Sequence, residues 1–337
     1  MKGYSEETYK RVLTGAVNQI PKINNVVDKL SSNGFSNIYL VGSGGTFATI
    51  GSLSYMFKEN SKLSVHHEIA AEVVKLHPKN LDKDSILVSA SLTGTTKETI
   101  DAVKYANSVG AKTIGFTGDE DSEFAKTVDY AFAGEASNDN LVEVLEIQFF
   151  ALGARFMKNN GEFPEYDILL DTLKKMPDTL LQVRKDADAK SKEFAEKHKD
   201  TKFHMFVGAG NTWWQTYEYA MCVLEEMQWI ATKSINAAEF FHGTVEMTDK
   251  NMSFVLLKGE DNSRQLVDRV EKFVRQHSNY VTVLDSKDFK LEGIKAETRE
   301  FVAPIVLSAA LERISTHMEE VTGHSLEIRR YYRKANY

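Results

Sequence analysis

The segment Ser91-Leu92-Thr93-Gly94-Thr95-Thr96 has the composition of an anion site. A phosphate needs several converging donors, and four hydroxyls surround one glycine here. The segment follows an apolar run and opens a helix expected over Lys97 to Val109, closed by Gly110. The first amides of a helix lack intrahelical partners and carry partial positive charge, so an anion is favoured there. Candidate contacts are Ser91, Thr93 and Thr96, with Ser43, Gly45 and Thr46 from the glycine-rich segment Gly42-Ser43-Gly44-Gly45-Thr46. A plain Ser/Thr helix cap is the competing explanation; four hydroxyls around a glycine favour the anion site. The glycine-rich segment is not a dinucleotide fingerprint, because Phe47 stands where the third glycine is needed. No nicotinamide or other cofactor is expected.

A second group of residues could move protons. Glu225 and Glu226 precede the apolar Trp229 and Ile230, and a carboxylate screened from water becomes a usable general acid or base. His242 stands between Phe240-Phe241 and Gly243 and titrates near neutral pH. Taken alone, Glu226 reads equally as a solvated helix residue and His242 as a structural histidine. His66-His67-Glu68 suggests a metal at first sight. It lies in a strand-like stretch where neighbours face opposite ways, so no metal site is expected. Cys222 is the only cysteine, set in YAMCVLEEM, and reads as a buried helix residue. With one cysteine, neither an internal disulfide nor a cysteine-based metal site is available.

The elements that must carry these residues repeat. The first half reads as a helix, Glu6 to Ser31, then strands at Asn37 to Val41, Ser85 to Ser89 and Lys112 to Thr117 with helices between them. The second half reads as strands at Phe203 to Val207, Ser253 to Leu257 and Tyr280 to Asp285, with helices at Trp213 to Trp229 and Gln265 to Gln276. Gly42 and Gly208 lie 166 residues apart, and Val88 and Val255 lie 167 apart. Two landmarks at nearly one offset indicate a duplicated α/β plan with parallel sheets. The expected domains are 1–165 and 166–337, bridged by a charged helix over Leu169 to Lys199. Ligands of open parallel sheets sit beyond the carboxyl ends of the strands, so the loops there are where chemistry is expected. The copies differ at one of them. The second half has Lys258-Gly259-Glu260-Asp261-Asn262-Ser263-Arg264, whose carboxylates repel a phosphate, so the first half is expected to bind it.

Composition narrows the function. Apolar residues make up 42% and charged residues 26%, as in a globular protein, and five prolines leave little room for a disordered linker. A formal charge of −7 without a basic stripe disfavours nucleic acid. No apolar run reaches membrane length, and no apolar leader follows the first residues. The cytoplasm is the expected compartment.

These strings resemble the sugar isomerase (SIS) domain family in its double arrangement. Ser91 to Thr96 resembles the family's S-x-S-G-x-T phosphate loop, with Thr93 for the second serine. The pair Glu226 and His242, 16 residues apart, is similar to the isomerase half of glucosamine-6-phosphate synthase. The strings Glu226-Met227-Gln228-Trp229-Ile230, Glu239-Phe240-Phe241-His242-Gly243 and Arg329-Arg330-Tyr331 resemble the fructosamine-6-phosphate deglycases more closely. Thr244 and Ala238 depart from the proline and glycine usual at those positions. The resemblance implies two tandem SIS domains, each a parallel sheet flanked by helices in a flavodoxin-like sandwich. It implies an enzyme that cleaves a fructose–amino acid 6-phosphate to glucose 6-phosphate and an amino acid through an enaminol. Glu226 is then the proton shuttle and His242 its acid/base partner. Lys334, four residues after Arg330, resembles a ring-opening lysine, and Glu72 resembles a residue near the sugar. A homodimer or higher homo-oligomer with shared sites is implied. A phosphosugar isomerase, an ammonia-fed glucosamine-6-phosphate-forming enzyme and a non-catalytic phosphosugar sensor are the alternatives.

Overall fold

The computed structural model describes residues 5–136, 141–332 and 334–335, and the chain in it divides after Asp178 into two units. The first opens on α1 (Glu6–Asn18) and α2 (Ile20–Asn33). One continuous helix was expected here. Pro21, at the start of α2, has no N–H to continue the ladder. The break is held by Gln19, whose Nε2 donates to Ala133 O at 2.6 Å and whose Oε1 accepts from Gln148 Nε2 at 3.0 Å.

The sheet elements follow in chain order: β1 (Asn37–Gly42), α3 (Gly45–Asn60), β2 (Val65–Ile69), α4 (Ala70–Leu76), β3 (Ser85–Ser91), α5 (Lys97–Ser108), β4 (Lys112–Thr117), α6 (Glu123–Thr127), β5 (Tyr130–Ala133) and α7 (Leu141–Asn159). The strands are all parallel, in the order β2-β1-β3-β4-β5. Both faces of such a sheet are covered, so β1 and β3 are buried at every residue instead of alternating. Tyr39, Val41 and Leu87 pack on α4, α5 and α6, while α1, α2 and α3 pack on α7. The expected bridging helix is α8 (Tyr166–His198).

The second unit contains β6 (Phe203–Gly208), α9 (Trp213–Glu218), a π-helical turn (Tyr219–Glu225), α10 (Glu226–Gln228), β7 (Ala231–Asn236), β8 (Ser253–Lys258), α11 (Arg264–His277), β9 (Tyr280–Asp285) and α12 (Ala296–Thr322). Its sheet is parallel with the order β7-β6-β8-β9. That order repeats β2-β1-β3-β4, as duplication requires. Among the described residues the second copy has no counterpart of α6 and β5. A short turn, Ser286–Asp288, replaces them, and β9 is left as an edge.

His66 and His67 face opposite ways as expected. The first stacks on Tyr39 with centroids 4.6 Å apart, and the second stacks on Phe47 at 4.1 Å. Among the described residues no group of three His, Cys, Asp or Glu could hold a metal, and no helix is long and apolar enough to cross a membrane.

Candidate active site

β1 and β3 are neighbours in the first sheet, so the loops that leave their carboxyl ends lie side by side. Gly42 turns so tightly that a Cβ on it would stand 2.6 Å from the Phe47 amide. Thr46 Oγ1 donates to Ser43 O at 2.9 Å and accepts from the Ser43 amide at 3.3 Å. Across the strands, Thr99 Oγ1 donates to Ser43 Oγ at 3.3 Å, tying the first turn of α5 to the glycine loop. In the second loop Ser91 Oγ donates to Thr96 Oγ1 at 3.1 Å, and Thr93 and Thr95 share a hydrogen bond of 2.8 Å. Gly94 adopts φ 63°, and a Cβ there would collide with Ser122. Only glycine lets the loop lie this close to the start of α6. No side chain caps α3 or α5. Two helix ends with uncapped amides, Gly45 opening one of them, thus meet beside Ser43, Thr46, Ser91, Thr93 and Thr96. Each hydroxyl has both a hydrogen to give and lone pairs to accept, so the cradle can turn its donors toward an anion. Glu72 lies exposed in the first turn of α4, after β2 and thus at the same end of the sheet.

The counterpart loops of the second unit are occupied from within. Asp261 Oδ2 accepts from the Asn211 amide at 2.8 Å, and its Oδ1 accepts from Ser263 Oγ at 2.6 Å. Gly210, at φ 57°, has this carboxylate where a Cβ would go. Glu260 is held by Arg299 at 2.7 Å. The carboxylates expected to repel a phosphate include one seated against the backbone amide that could have bound it.

Glu225 and Glu226 part company at the end of their helix. The expected helix Trp213 to Trp229 is interrupted by the π-helical turn, and it ends with Trp229 at a left-handed φ of 57°. Glu225 Oε1 accepts from Thr232, from Oγ1 at 2.6 Å and from the amide at 3.2 Å. Glu226 Oε1 instead accepts from Arg329 Nε at 2.9 Å. Arg329 is 103 residues away, and no local pattern in the sequence marks it as a partner. Lys334 belongs to the same cluster, since its Nζ donates to Arg329 O at 2.8 Å. Cys222 is buried as expected, and burial pushes its thiol pKa up.

His242 is exposed on a single turn, Phe240–His242, after β7. The apolar residues around Glu226 and those around His242 pack on opposite faces of the second sheet. Val223 and Leu224, with Met227 and Ile230, join Phe206, Val255 and α12. Phe240, Phe241 and Val245 join Val207, Leu256 and α11. The six residues of β7 also separate the two in the chain. In one copy of the chain the residues flanking Glu226 and His242 therefore lie on different faces of the second sheet. Glu226 does not obey the carboxyl-end expectation, for its helix leads into the amino end of β7. At the departures, Thr244 Oγ1 accepts from Lys233 Nζ at 3.0 Å, a contact proline could not make, and the Ala238 amide donates to Asn236 Oδ1 at 3.0 Å.

A hydroxyl cradle at uncapped helix ends, beyond adjacent strands of a five-stranded parallel sheet, defines a class of α/β domain. Residues 32–158, within the first unit, match the SIS domain family. Over most of its length the chain is similar to fructosamine deglycase FrlB of Bacillus subtilis (strain 168), 29% identical over 316 residues, 91% of this chain and 94% of that protein. It is also similar to fructoselysine 6-phosphate deglycase of Escherichia coli O157:H7, 23% identical over 93% of this chain and 90% of that protein. A solved Bacillus subtilis structure described as a phosphosugar isomerase superposes with TM-score 0.87 at 26% identity, covering 96% of this chain and 99% of that one.

Proposed function

We propose that the protein is a fructosamine-6-phosphate deglycase, which converts a fructose–amino acid 6-phosphate and water into glucose 6-phosphate and the free amino acid. The carrying observation is the hydroxyl cradle: it suits a phosphate, and its counterpart in the second unit is filled by Asp261. Relatives named as deglycases and phosphosugar isomerases support an enzyme of this kind.

The 6-phosphate is assigned to the amides and hydroxyls of the cradle, chiefly Ser43, Thr46, Ser91, Thr93 and Thr96. Glu226 takes a proton from C1 of the ketosamine. The C1–H electrons form a C1–C2 double bond and the C2 carbonyl becomes a hydroxyl, giving an enaminol. Return of the proton to C2 leaves a C1 iminium that keeps its N–H. Water adds to that carbon, the amine departs with a proton, and the aldose is released. Opening of the sugar ring and protonation of O2 fall to His242, presented by a second copy of the chain, with Lys334 as the ring-opening candidate beside Glu226.

The test supplies fructoselysine 6-phosphate, a panel of other fructose–amino acid 6-phosphates, and fructose 6-phosphate with and without ammonia. Equal amounts of glucose 6-phosphate and amino acid from at least one conjugate are expected. Glucose 6-phosphate from fructose 6-phosphate alone would make the protein an isomerase. Glucosamine 6-phosphate would make it an ammonia-fed synthase. Thermal stabilisation by these sugars without any turnover would make it a sensor.

A further inference from the structure

The helix end that carries Glu226 is gripped by a later stretch of chain, and the grip is concentrated on one turn. Arg329 and Glu226 are both mostly buried, with side-chain exposures of 14% and 27%. Arg329 Nη1 donates to the carbonyls of Leu326 and Ile328, so the guanidinium is oriented by its own backbone before it meets the carboxylate. Arg330 lies over the Trp229 ring, 4.0 Å from its centroid, and Trp229 meets the His324 ring at 4.4 Å. Gln228 Nε2 donates to His324 O at 3.0 Å, and its Oε1 accepts from Thr322 at 3.3 Å. Residues 226, 228 and 229 are thus all held by residues of 322–330, with His324 touching two of them. A bulky residue such as Trp229 adopts a left-handed backbone only where its surroundings hold it.

Apolar contacts alone would anchor a tail. Half-burying a guanidinium on a carboxylate costs desolvation, and such pairs are kept where they specify geometry. Of the two adjacent glutamates, Glu225 is engaged by Thr232, and Arg329 pairs with Glu226, the one read above as the proton shuttle.

We propose that Arg329 is the positioning residue for Glu226, fixing the direction in which its carboxylate meets the substrate carbon. The inference rests on Glu226 being the proton shuttle. Because the guanidinium touches Glu226 and not the substrate, its loss falls on proton transfer more than on binding.

Steady-state kinetics on the preferred conjugate test this with Arg329→Ala, Arg329→Lys, Glu226→Gln and the double variant Glu226→Gln/Arg329→Ala. Arg329→Ala is expected to lower kcat by about a hundredfold while KM stays within about threefold, the size of loss that a small misplacement of a reacting group produces. Guanidinium added well below unfolding concentrations should restore part of the rate. In the Glu226→Gln background the Arg329→Ala change should add nothing, since the two residues act as one unit. Arg329→Lys keeps the charge without the planar fork and should fall between wild type and Ala; it serves if the Ala variant fails to fold. A loss confined to KM, absent rescue, or full additivity with Glu226→Gln would overturn the assignment. Turnover lost in Glu226→Gln but kept in Arg329→Ala removes this inference alone. Turnover kept in Glu226→Gln removes the functional reading and this inference with it.

Discussion

The cradle hydroxyls already have partners: Ser91 with Thr96, Thr93 with Thr95, Ser43 with Thr99, and Thr46 with the Ser43 backbone. A hydroxyl that accepts one hydrogen bond still has its own hydrogen to give, so a ligand phosphate need only rotate these groups, not rebuild the loop. This separates two kinds of variant. Thr93→Ala removes a donor to a handle that the ground state and the transition state share, so KM should rise by about tenfold with kcat nearly unchanged. An unaltered KM would move the phosphate elsewhere. Glu226→Gln removes the only group assigned to carry the C1 proton. Its kcat should fall by about a thousandfold or more with the circular dichroism spectrum intact. Turnover within about tenfold of wild type, a change of only ~1.4 kcal/mol in barrier, would take Glu226 out of the mechanism.

At the scale of elements, what could be read in the chain depended on whether the cause was local. The loops after β1 and β3 announce themselves through glycines and hydroxyls between apolar runs, and the repetition of the strands in the second half follows from duplication. The break at Gln19 is local too, marked by Pro21. The engagement of Asp261 with the Asn211 amide is not, because it depends on where two loops 50 residues apart come to lie. The faces taken by Glu226 and His242 were hidden for a related reason. Their spacing of 16 residues conceals β7, a half-exposed edge strand without a strong apolar run, and passage through it moves the chain from one face to the other. Burial of polar groups was equally unreadable. His198, at the end of α8, and His204, in β6, are buried with rings 5.2 Å apart, and Nε2 of each lacks a hydrogen-bond partner among the described residues. Burial lowers their pKa values to about 4 and about 3, from 6.5. Both are therefore neutral in the folded chain while the unfolded chain takes up their protons below about pH 6.5. The unfolded state binds more protons there, so stability is full above that pH and falls as the pH drops toward 4, each histidine adding about 1.4 kcal/mol per pH unit. Denaturant unfolding of His198→Phe between about pH 4.5 and 6 should show a slope against pH shallower by about that amount. A slope equal to that of wild type would mean that the ring titrates normally in the fold.

For the whole molecule, the proposed mechanism requires Glu226 and His242 to meet at one sugar. In one copy the residues flanking them lie on two different faces of a sheet, with a strand between them in the chain. His242 is exposed on a short turn beside the exposed Gly243, a position from which it can be offered to another molecule. If a second copy supplies it, a symmetric dimer holds two equivalent sites, each with Glu226 from one chain and His242 from the other. Glu226→Gln and His242→Ala are then each inactive as pure proteins. Co-expressed and assembled together, half of the dimers are mixed, and every mixed dimer contains one site with both native residues and one with neither. Activity should return to about a quarter of wild type, the product of those two fractions. The comparison that gives this its force is the double variant Glu226→Gln/His242→Ala assembled with wild-type chains. In that mixed dimer each site has lost one residue, so it should contribute nothing beyond the wild-type dimers present. Failure of the two single variants to complement, in a preparation shown by mass to contain mixed dimers, would place both residues' work within one chain or remove His242 from the chemistry.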